Sequence, residues 1–157
     1  MTIGRIVSAE GKAQKLVDSY KKRLDTFREK SNKIQNKPKV YFEEWDDPTF
    51  SGIRWVSELI EIAGGEDIFS NKSHGKLAME REIQWSDVVE KNPDIILASW
   101  CGKPVDIDSI KEREGWDQIS AIKNNRIHEI DSSIILQPGP ASLTDGLSVL
   151  ESLIRGQ

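Results

Sequence analysis

The sequence contains a single cysteine, Cys101, among its 157 residues. One cysteine cannot form an internal disulfide or the cysteine-rich ligand set of a structural zinc site. Long apolar runs are also missing, because no stretch approaches the roughly 20 apolar residues that a membrane-spanning helix needs. The opening residues, MTIGRIVSAEGK, lack an apolar core and a small-residue cleavage site, so we expect no signal peptide. The chain as written is expected to stay inside the cell, although a segment of an exported protein would look the same.

Basic residues are too few for a nucleic-acid-binding surface. Lys plus Arg is 22 and Asp plus Glu is 26, which gives a net charge of −4. An acidic chain without a dense basic stripe is a poor candidate for binding DNA or RNA. The sequence also has no phosphate loop, no glycine-rich dinucleotide motif and no serine elbow. We therefore expect neither a nucleic-acid partner nor these nucleotide-dependent or hydrolytic chemistries.

The stretch Lys39–Phe69 organises the rest of the chain, which is long enough for one domain with a proper core. Its apolar, β-prone segment Val40–Phe42 predicts a buried strand. An acidic loop with one tryptophan, Glu43–Asp47, follows directly. Apolar residues at helical spacing then predict a helix that Ser51 caps and that Gly64-Gly65 ends.

The same alternation recurs along the chain. Apolar residues three or four apart predict a long amphipathic helix from Ser8 to Lys30, with Ser8 as its N-cap. Continuous or alternating apolar residues predict further strands at Ile95–Ala98 and Arg126–Ile130. The expected fold is α/β, a three-layer parallel sheet covered by helices and preceded by the long helix.

Other helices are predicted between and after these strands. Ser86 is expected to cap a short helix over Asp87–Lys91. Val105 to Ile122 indicates a helix broken near Gly115, and a leucine-rich face predicts a C-terminal helix. The segment Glu66–Phe69 is compatible with either a strand or a turn.

Three strand ends carry the polar and aromatic residues that suit a binding site. They are Glu43–Asp47, Trp100–Lys103 and Asp131–Ser133. In parallel sheets ligands gather beyond the carboxyl ends of the strands. We therefore place the candidate site at the edge that these three segments are expected to share.

The chemistry of that edge has several interpretations. The carboxylates of Glu43–Asp47 could hold a metal, but they lack the spacing of a calcium loop, so solvent or organic-ligand contacts are favoured. Cys101 could be a nucleophile with His128 as its base, although a lone cysteine usually packs and His128 lies within a strand pattern. His74, in an irregular segment, is expected to be exposed.

Tryptophan is the other notable residue type at this edge. For Trp45 and Trp100, stacking on a ligand and packing in the core are equally compatible with the sequence. Trp55, Trp85 and Trp116 are predicted to be structural, and Trp85 could reach the rim of the site.

Three phrases resemble a known family: FEEWDDPTFSGIRWVSELIEIAGGEDIF, NPDIILASWCGK and ILQPGPASLTDGL. They are similar to the C-terminal lobe of the cobalamin- and iron-siderophore-type solute-binding proteins of ABC importers, and most of all to the cobalamin-binding subgroup. In that family one long helix joins two lobes, and IGRIVSAEGKAQKLVDSYKKRL resembles the start of this helix. The resemblance implies a linking helix in residues 1–37, a C-terminal lobe in residues 38–157 and no N-terminal lobe.

The resemblance also implies roles for particular residues. The loop at Trp45, the rim at Trp85 and the aspartate loop at Asp131 match ligand-facing positions of the family. A family carboxylate that docks on the membrane permease corresponds to Ser86 here, so Asp87 is the nearest substitute. No catalytic residue, metal ligand or cofactor is implied. Together with the edge hypothesis, we predict ligand contacts from Glu44, Trp45, Asp46, Trp85, Trp100, Asp131 and Ser132.

The predicted function is therefore one ligand-binding lobe of an ABC-importer solute-binding protein. Its ligand would be cobalamin, another corrinoid or a similarly large chelate, and its location periplasmic or lipid-anchored by family resemblance. Two alternatives remain: a small metal-dependent enzyme using Glu43–Asp47 with His128, and an interaction module of the same fold that does not transport. A homodimer through the exposed first helix is a further expectation.

Overall fold

The computed structural model describes residues 2–156 as a five-stranded sheet with helices on both faces. Met1 and Gln157 lie outside the described residues. The strands are β1 Lys39–Trp45, β2 Phe50–Ser51, β3 Glu66–Asp67, β4 Ile95–Ala98 and β5 Ile127–Glu129. The helices are α1 Thr2–Ile6, α2 Glu10–Ser31, α3 Arg54–Ala63, α4 Trp85–Lys91, α5 Ile107–Lys111, α6 Ser120–Lys123, α7 Ser132–Ile135 and α8 Leu147–Arg155. Between residues 2 and 156 no helix is both long and apolar enough to cross a membrane.

β1 is the central strand of the sheet. The strand order is β2-β1-β4-β5, and β3 also pairs with β1. β1 runs parallel to β3 and β4, and β4 runs parallel to β5, whereas β2 returns antiparallel to β1. The three strands predicted from the sequence are thus confirmed, and their carboxyl ends lie at one edge of the sheet.

Both faces of the sheet are covered, which explains why its strands are apolar at successive positions. Val40, Phe42 and Leu97 belong to the core that α3 and α8 build on one face. Tyr41 and Ile96, the intervening residues, belong to the second core on the other face. The predicted class, a parallel sheet between two helical layers, is confirmed.

The long helix α2 begins later than the sequence pattern predicted. Ser8 was expected as its N-cap, but the N-cap position is Ala9 and no side chain caps the helix. Ser8 instead has φ +51° in the turn between α1 and α2. Only Phe27 and Ser31 of α2 are buried. The exposed apolar side chains at this end of the chain are Ile3, Ile6, Val7 and Leu16. The homodimer through this helix stays a prediction.

Two other predicted N-caps are wrong, because tertiary partners decide where the helices start. Ser51 lies in β2, where its hydroxyl donates to the Arg81 carbonyl, and α3 starts only at Arg54. Ser86 lies inside the first turn of α4, whose N-cap position is Gln84. The predicted stop at Gly64 is confirmed, since this glycine has φ +104° at the C-cap of α3.

The segment from Val105 to Ile122 is more broken than predicted. It forms α5, a 3₁₀ turn at Trp116–Gln118 and α6, and Gly115 with φ +78° marks the predicted break. The C-terminal helix is confirmed, but it starts with a π-helical turn at Ser142–Gly146. Gly146 lies against the Ile134 carbonyl oxygen, where a Cβ atom would collide with it. Glu66–Phe69 contributes the two-residue strand β3.

Asp67 is a buried carboxylate whose replacement tests the packing around β3. Burial raises its pKa, and the nearby Glu61 carboxylate raises it further. We expect Asp67→Asn to raise the free energy of unfolding by about 1 kcal/mol at pH 7, because it removes a buried like charge. The pKa of Asp67 is higher in the folded chain than in the unfolded chain. The wild-type chain therefore loses stability as the pH rises through the range between these two pKa values.

The advantage of Asp67→Asn should therefore shrink as pH falls toward 4 in urea denaturation followed by circular dichroism. Asp117→Asn, at an exposed position, is the matched control and should change little at either pH. A variant less stable than wild type at pH 7 would contradict the expectation.

Candidate functional site

The three predicted segments meet at the carboxyl edge, by which we mean residues 43–47, 99–104 and 129–133. The predicted loop Glu43–Asp47 is wrong in its first part, because β1 continues to Trp45. Lys103 Nζ donates to Asp46 Oδ2 at 2.8 Å, which joins the loop after β4 to the loop after β1. The same ammonium lies 4.7 Å from the ring centroid of Trp45 and 4.6 Å from that of Trp100. Lys103 therefore lies in a cage of two indole rings and one carboxylate.

Two cavities open at the carboxyl edge. One, of about 530 Å³, lies between the loops after β4 and β5, and its polar lining comes from Lys103, Glu129, Asp131 and Ser132. The other, of about 270 Å³, is lined by Trp45, Trp55 and Cys101 among others. The expectation that the three strand ends share one edge is confirmed, whereas the binding roles of their residues stay predictions.

Glu43 is not part of a solvated acidic loop. It lies at the end of β1 with none of its side chain exposed, and its carboxylate accepts two hydrogen bonds from the Arg113 guanidinium, at 2.5 and 2.9 Å. Tyr41 Oη and Trp100 Nε1 donate to the same carboxylate at 2.9 and 3.1 Å. Burial raises the pKa of Tyr41 well above its ordinary value, so this phenol stays a donor.

Arg113, like Arg81, is a residue of this region that sequence reasoning missed. Its guanidinium lies over the rings of both Trp85 and Trp116, 4.9 and 4.6 Å from their centroids, and these two rings contact each other edge-to-face. In the sequence it stands in a charged stretch, KEREGW, that carries no sign of burial. Its position at the turn before a buried tryptophan, Trp116, is the only signal that could have indicated a stack.

Glu44 also has partners within the chain. Arg81 donates to its carboxylate at 2.6 and 2.9 Å, and Arg81 is 3% exposed. The Ile53 N–H donates to Glu44 Oε2 at 2.9 Å, which fixes the start of α3. Glu44, near the end of β1, therefore ties this strand to the start of α3 and to Arg81, and its predicted ligand contact stays a prediction.

The tryptophans of the predicted site differ strongly in exposure. Trp100 is only 4% exposed, so almost none of its ring is available for stacking on a ligand. Trp45 is half-buried and its Nε1 donates to the Asp47 carbonyl. Trp85 is 43% exposed, and its Nε1 donates to Thr49 Oγ1 at 2.9 Å. Trp116 is fully buried, which confirms its structural assignment.

Asp131 and Ser132 stand where β5 gives way to α7. Asp131 is exposed, and its Oδ1 accepts a hydrogen bond from the Ser133 N–H at 2.8 Å. This bond lowers the pKa of Asp131, which is therefore ionised at neutral pH. Asp87, the candidate for permease docking, is half-buried in the first turn of α4, and its docking role stays a prediction.

The alternative of a metal-dependent enzyme finds little support in the geometry. Among residues 2–156 no group of three or more His, Cys, Asp or Glu side chains could hold a metal ion. Glu43 and Glu44 are already paired with arginines. His128 lies within β5, where burial and then Arg126 lower its pKa. Cys101 is exposed rather than buried, as is His74, whose exposure was predicted.

Comparison with known proteins shows which family this chain belongs to. A model of the periplasmic binding protein family matches residues 1–134. The chain belongs to the periplasmic binding protein family. One relative of this family member is an uncharacterised ABC transporter substrate-binding lipoprotein, YvrC, of Bacillus subtilis. It is 28% identical over 163 residues, covering 97% of the chain and 47% of the relative.

One further relative and one solved structure are also similar to the chain. The vitamin B12-binding protein of Vibrio parahaemolyticus is 23% identical over 142 residues, covering 89% of the chain and 49% of the relative. A solved structure of a possible iron-binding, periplasmic solute-binding protein of Staphylococcus epidermidis superposes with a TM-score of 0.80 at 26% identity. That match covers 98% of the chain and 58% of the structure. All three are binding proteins by name, and the chain spans about half the length of the two curated relatives.

Proposed function

We propose that this chain is a ligand-binding lobe of an ABC-importer substrate-binding protein, whose ligand is a corrinoid such as cobalamin or a similarly large metal chelate. The feature that supports this proposal is the carboxyl edge, where two cavities flank the Trp45–Lys103–Trp100 contact. Ligands of open parallel sheets bind at this end of the strands. Membership of the periplasmic binding protein family, with B12-binding and iron-binding relatives, supports the ligand class.

The mechanism follows from the exposed groups of this edge. The exposed part of the Trp45 ring offers an apolar face on which a flat macrocycle or chelate can stack. Asp131 and Ser132, at the rim of the larger cavity, offer a carboxylate and a hydroxyl to polar groups at the ligand's periphery. In the importer, a membrane permease would be the partner and Asp87 its candidate docking residue, with the protein acting outside the cytoplasm.

The experiment is a titration of the purified chain with cyanocobalamin, haem and a ferric siderophore, followed by tryptophan fluorescence and calorimetry. We expect saturable binding of at least one chelate, and we expect Trp45→Ala to weaken it about 5–30-fold, because a stacked indole contributes about 1–2 kcal/mol.

Leu16→Ala, at an exposed position on α2, is the matched control and should leave the affinity unchanged. Binding that is unchanged in Trp45→Ala would remove the site from this edge. If none of the three chelates binds, the ligand assignment for this chain is wrong, and the fold and family remain.

A further inference from the structure

The cations near the carboxyl edge are already neutralised by carboxylates of the chain. Arg113 is paired with Glu43, and both side chains are buried. Arg81, whose side chain is 4% exposed, is paired with Glu44. Lys103 is more exposed, but its ammonium is held by Asp46 and by the rings of Trp45 and Trp100. No one of these three cations is free to bind an anionic group of a ligand.

Carboxylates at the same edge are in excess over these cations. Asp47, Glu129 and Asp131 are exposed. In the part of the chain that the structure describes, none of the three forms an ion pair with Lys, Arg or His. Glu129 accepts a hydrogen bond from the Val105 N–H at 3.0 Å and Asp131 accepts one from Ser133. Each of these carboxylates keeps a further oxygen that can accept a hydrogen bond.

Glu129 and Asp131 both line the 530 Å³ cavity, together with Lys103. Moving Lys103 from Asp46 to a ligand would leave Asp46 unpaired, so the net charge at the edge would not change. A ligand carboxylate that faces this cavity would therefore meet like charges and no compensating cation among these three. An amide N–H or an ammonium group would instead meet free acceptors.

We infer that the carboxyl edge selects chelates that present uncharged or cationic groups to it, with amide or amine donors, and rejects chelates that present carboxylates to it. The inference rests on the proposed function and narrows its ligand class. Asp131 is the residue assigned to this selection, since it is exposed at the cavity rim and ionised. Lys103 does not counteract this selection, because Asp46 and the rings of Trp45 and Trp100 hold its ammonium group and keep it from binding a ligand anion.

The test compares two matched ligand pairs by calorimetry at pH 7 and low salt. The first pair is cyanocobalamin and its monocarboxylic acid, in which one peripheral amide is replaced by a carboxylate. The second is ferrioxamine B, which carries an ammonium group, and its N-succinyl derivative, which carries a carboxylate. In whichever pair binds, we expect the carboxylate ligand to have an affinity about 5–10-fold lower than that of its partner ligand. This difference in affinity should shrink in 0.5 M salt.

Asp131→Asn should reduce this discrimination about 2–3-fold, because it removes the charge while asparagine still caps α7. Asp18→Asn is the matched control, since it makes the same change on α2, where the side chain accepts a hydrogen bond from Gln14, and it should leave the ratio unchanged. Equal or tighter binding of the carboxylate ligands would overturn the inference while leaving the proposed function intact. If Asp131→Asn left the ratio of the two affinities unchanged, this result would also contradict the inference. If haem binds and neither pair does, the inference fails while the proposed function stands. If no chelate binds, both fail.

Discussion

Arg113→Met is expected to lower the free energy of unfolding by about 3–5 kcal/mol, because it leaves the Glu43 carboxylate buried without its cation. Arg113 and Glu43 have side chains that are 5% and 0% exposed, so solvent cannot replace the lost partner. The methionine keeps an unbranched apolar stem against Trp85 and Trp116, which limits the loss of packing. Urea denaturation followed by circular dichroism measures the change.

Two variants separate the buried charge from general damage. The double variant Arg113→Met with Glu43→Gln should recover much of the loss, because no unpaired charge stays buried. Arg54→Met breaks the exposed Arg54–Glu58 pair on α3, whose side chains are 63% and 59% exposed, and should change stability by less than about 0.5 kcal/mol. If Arg113→Met were as stable as Arg54→Met, the buried Arg113–Glu43 pair would contribute no more to the free energy of unfolding than the exposed pair does.

Trp116→Ala is the second substitution with a large expected effect, about 3–5 kcal/mol of unfolding free energy. The ring is fully buried in the core on the Tyr41 face of the sheet. It makes edge-to-face contacts with Tyr41 and Trp85, at centroid distances of 6.0 and 6.4 Å, and stacks on Arg113. Its removal would leave a cavity that these neighbours cannot fill without losing their own contacts.

Trp116→Phe is the conservative control for this prediction. Trp116 Nε1 makes no hydrogen bond within residues 2–156, so phenylalanine loses ring area but no polar partner. We expect its cost to be less than half that of Trp116→Ala in the same denaturation experiment. Equal costs for the two variants would mean that the indole shape, rather than buried apolar volume, is what this site requires.

The Arg113 and Trp116 effects should not add, because the two side chains are in contact. A double-mutant cycle that combines Arg113→Met with Trp116→Phe is expected to show a coupling energy of about 0.5–1.5 kcal/mol. The Arg113–Glu43 pair also contacts the proposed binding site. Glu43 accepts a hydrogen bond from Trp100, whose ring lies against Lys103, so this pair helps to position Trp100 and Lys103 at the carboxyl edge.

Much of the candidate edge could be located from the sequence, but its chemistry could not. The positions of Trp45, Trp100 and Asp131 after three predicted strands placed them together, because carboxyl ends of parallel strands share an edge. The acidic loop was interpreted as exposed, whereas Glu43 is fully buried and Glu44 is held by Arg81. For Trp100 the sequence was equally compatible with stacking on a ligand and packing in the core. The side chain is only 4% exposed, so it packs in the core.

The sequence by itself determined the three parallel strands β1, β4 and β5, the glycine stop at Gly64 and the class of fold, because these depend on periodicity and backbone preference within a few residues. It did not predict β2, and it left β3 open between a strand and a turn. Tertiary structure decided which side chains pair. The partners of Glu43, Glu44 and Asp46 lie 70, 37 and 57 residues away along the chain. No local pattern encodes such distances, since they depend on how the loops fold over the sheet. The charge that a ligand meets at the carboxyl edge is therefore a property of the folded chain.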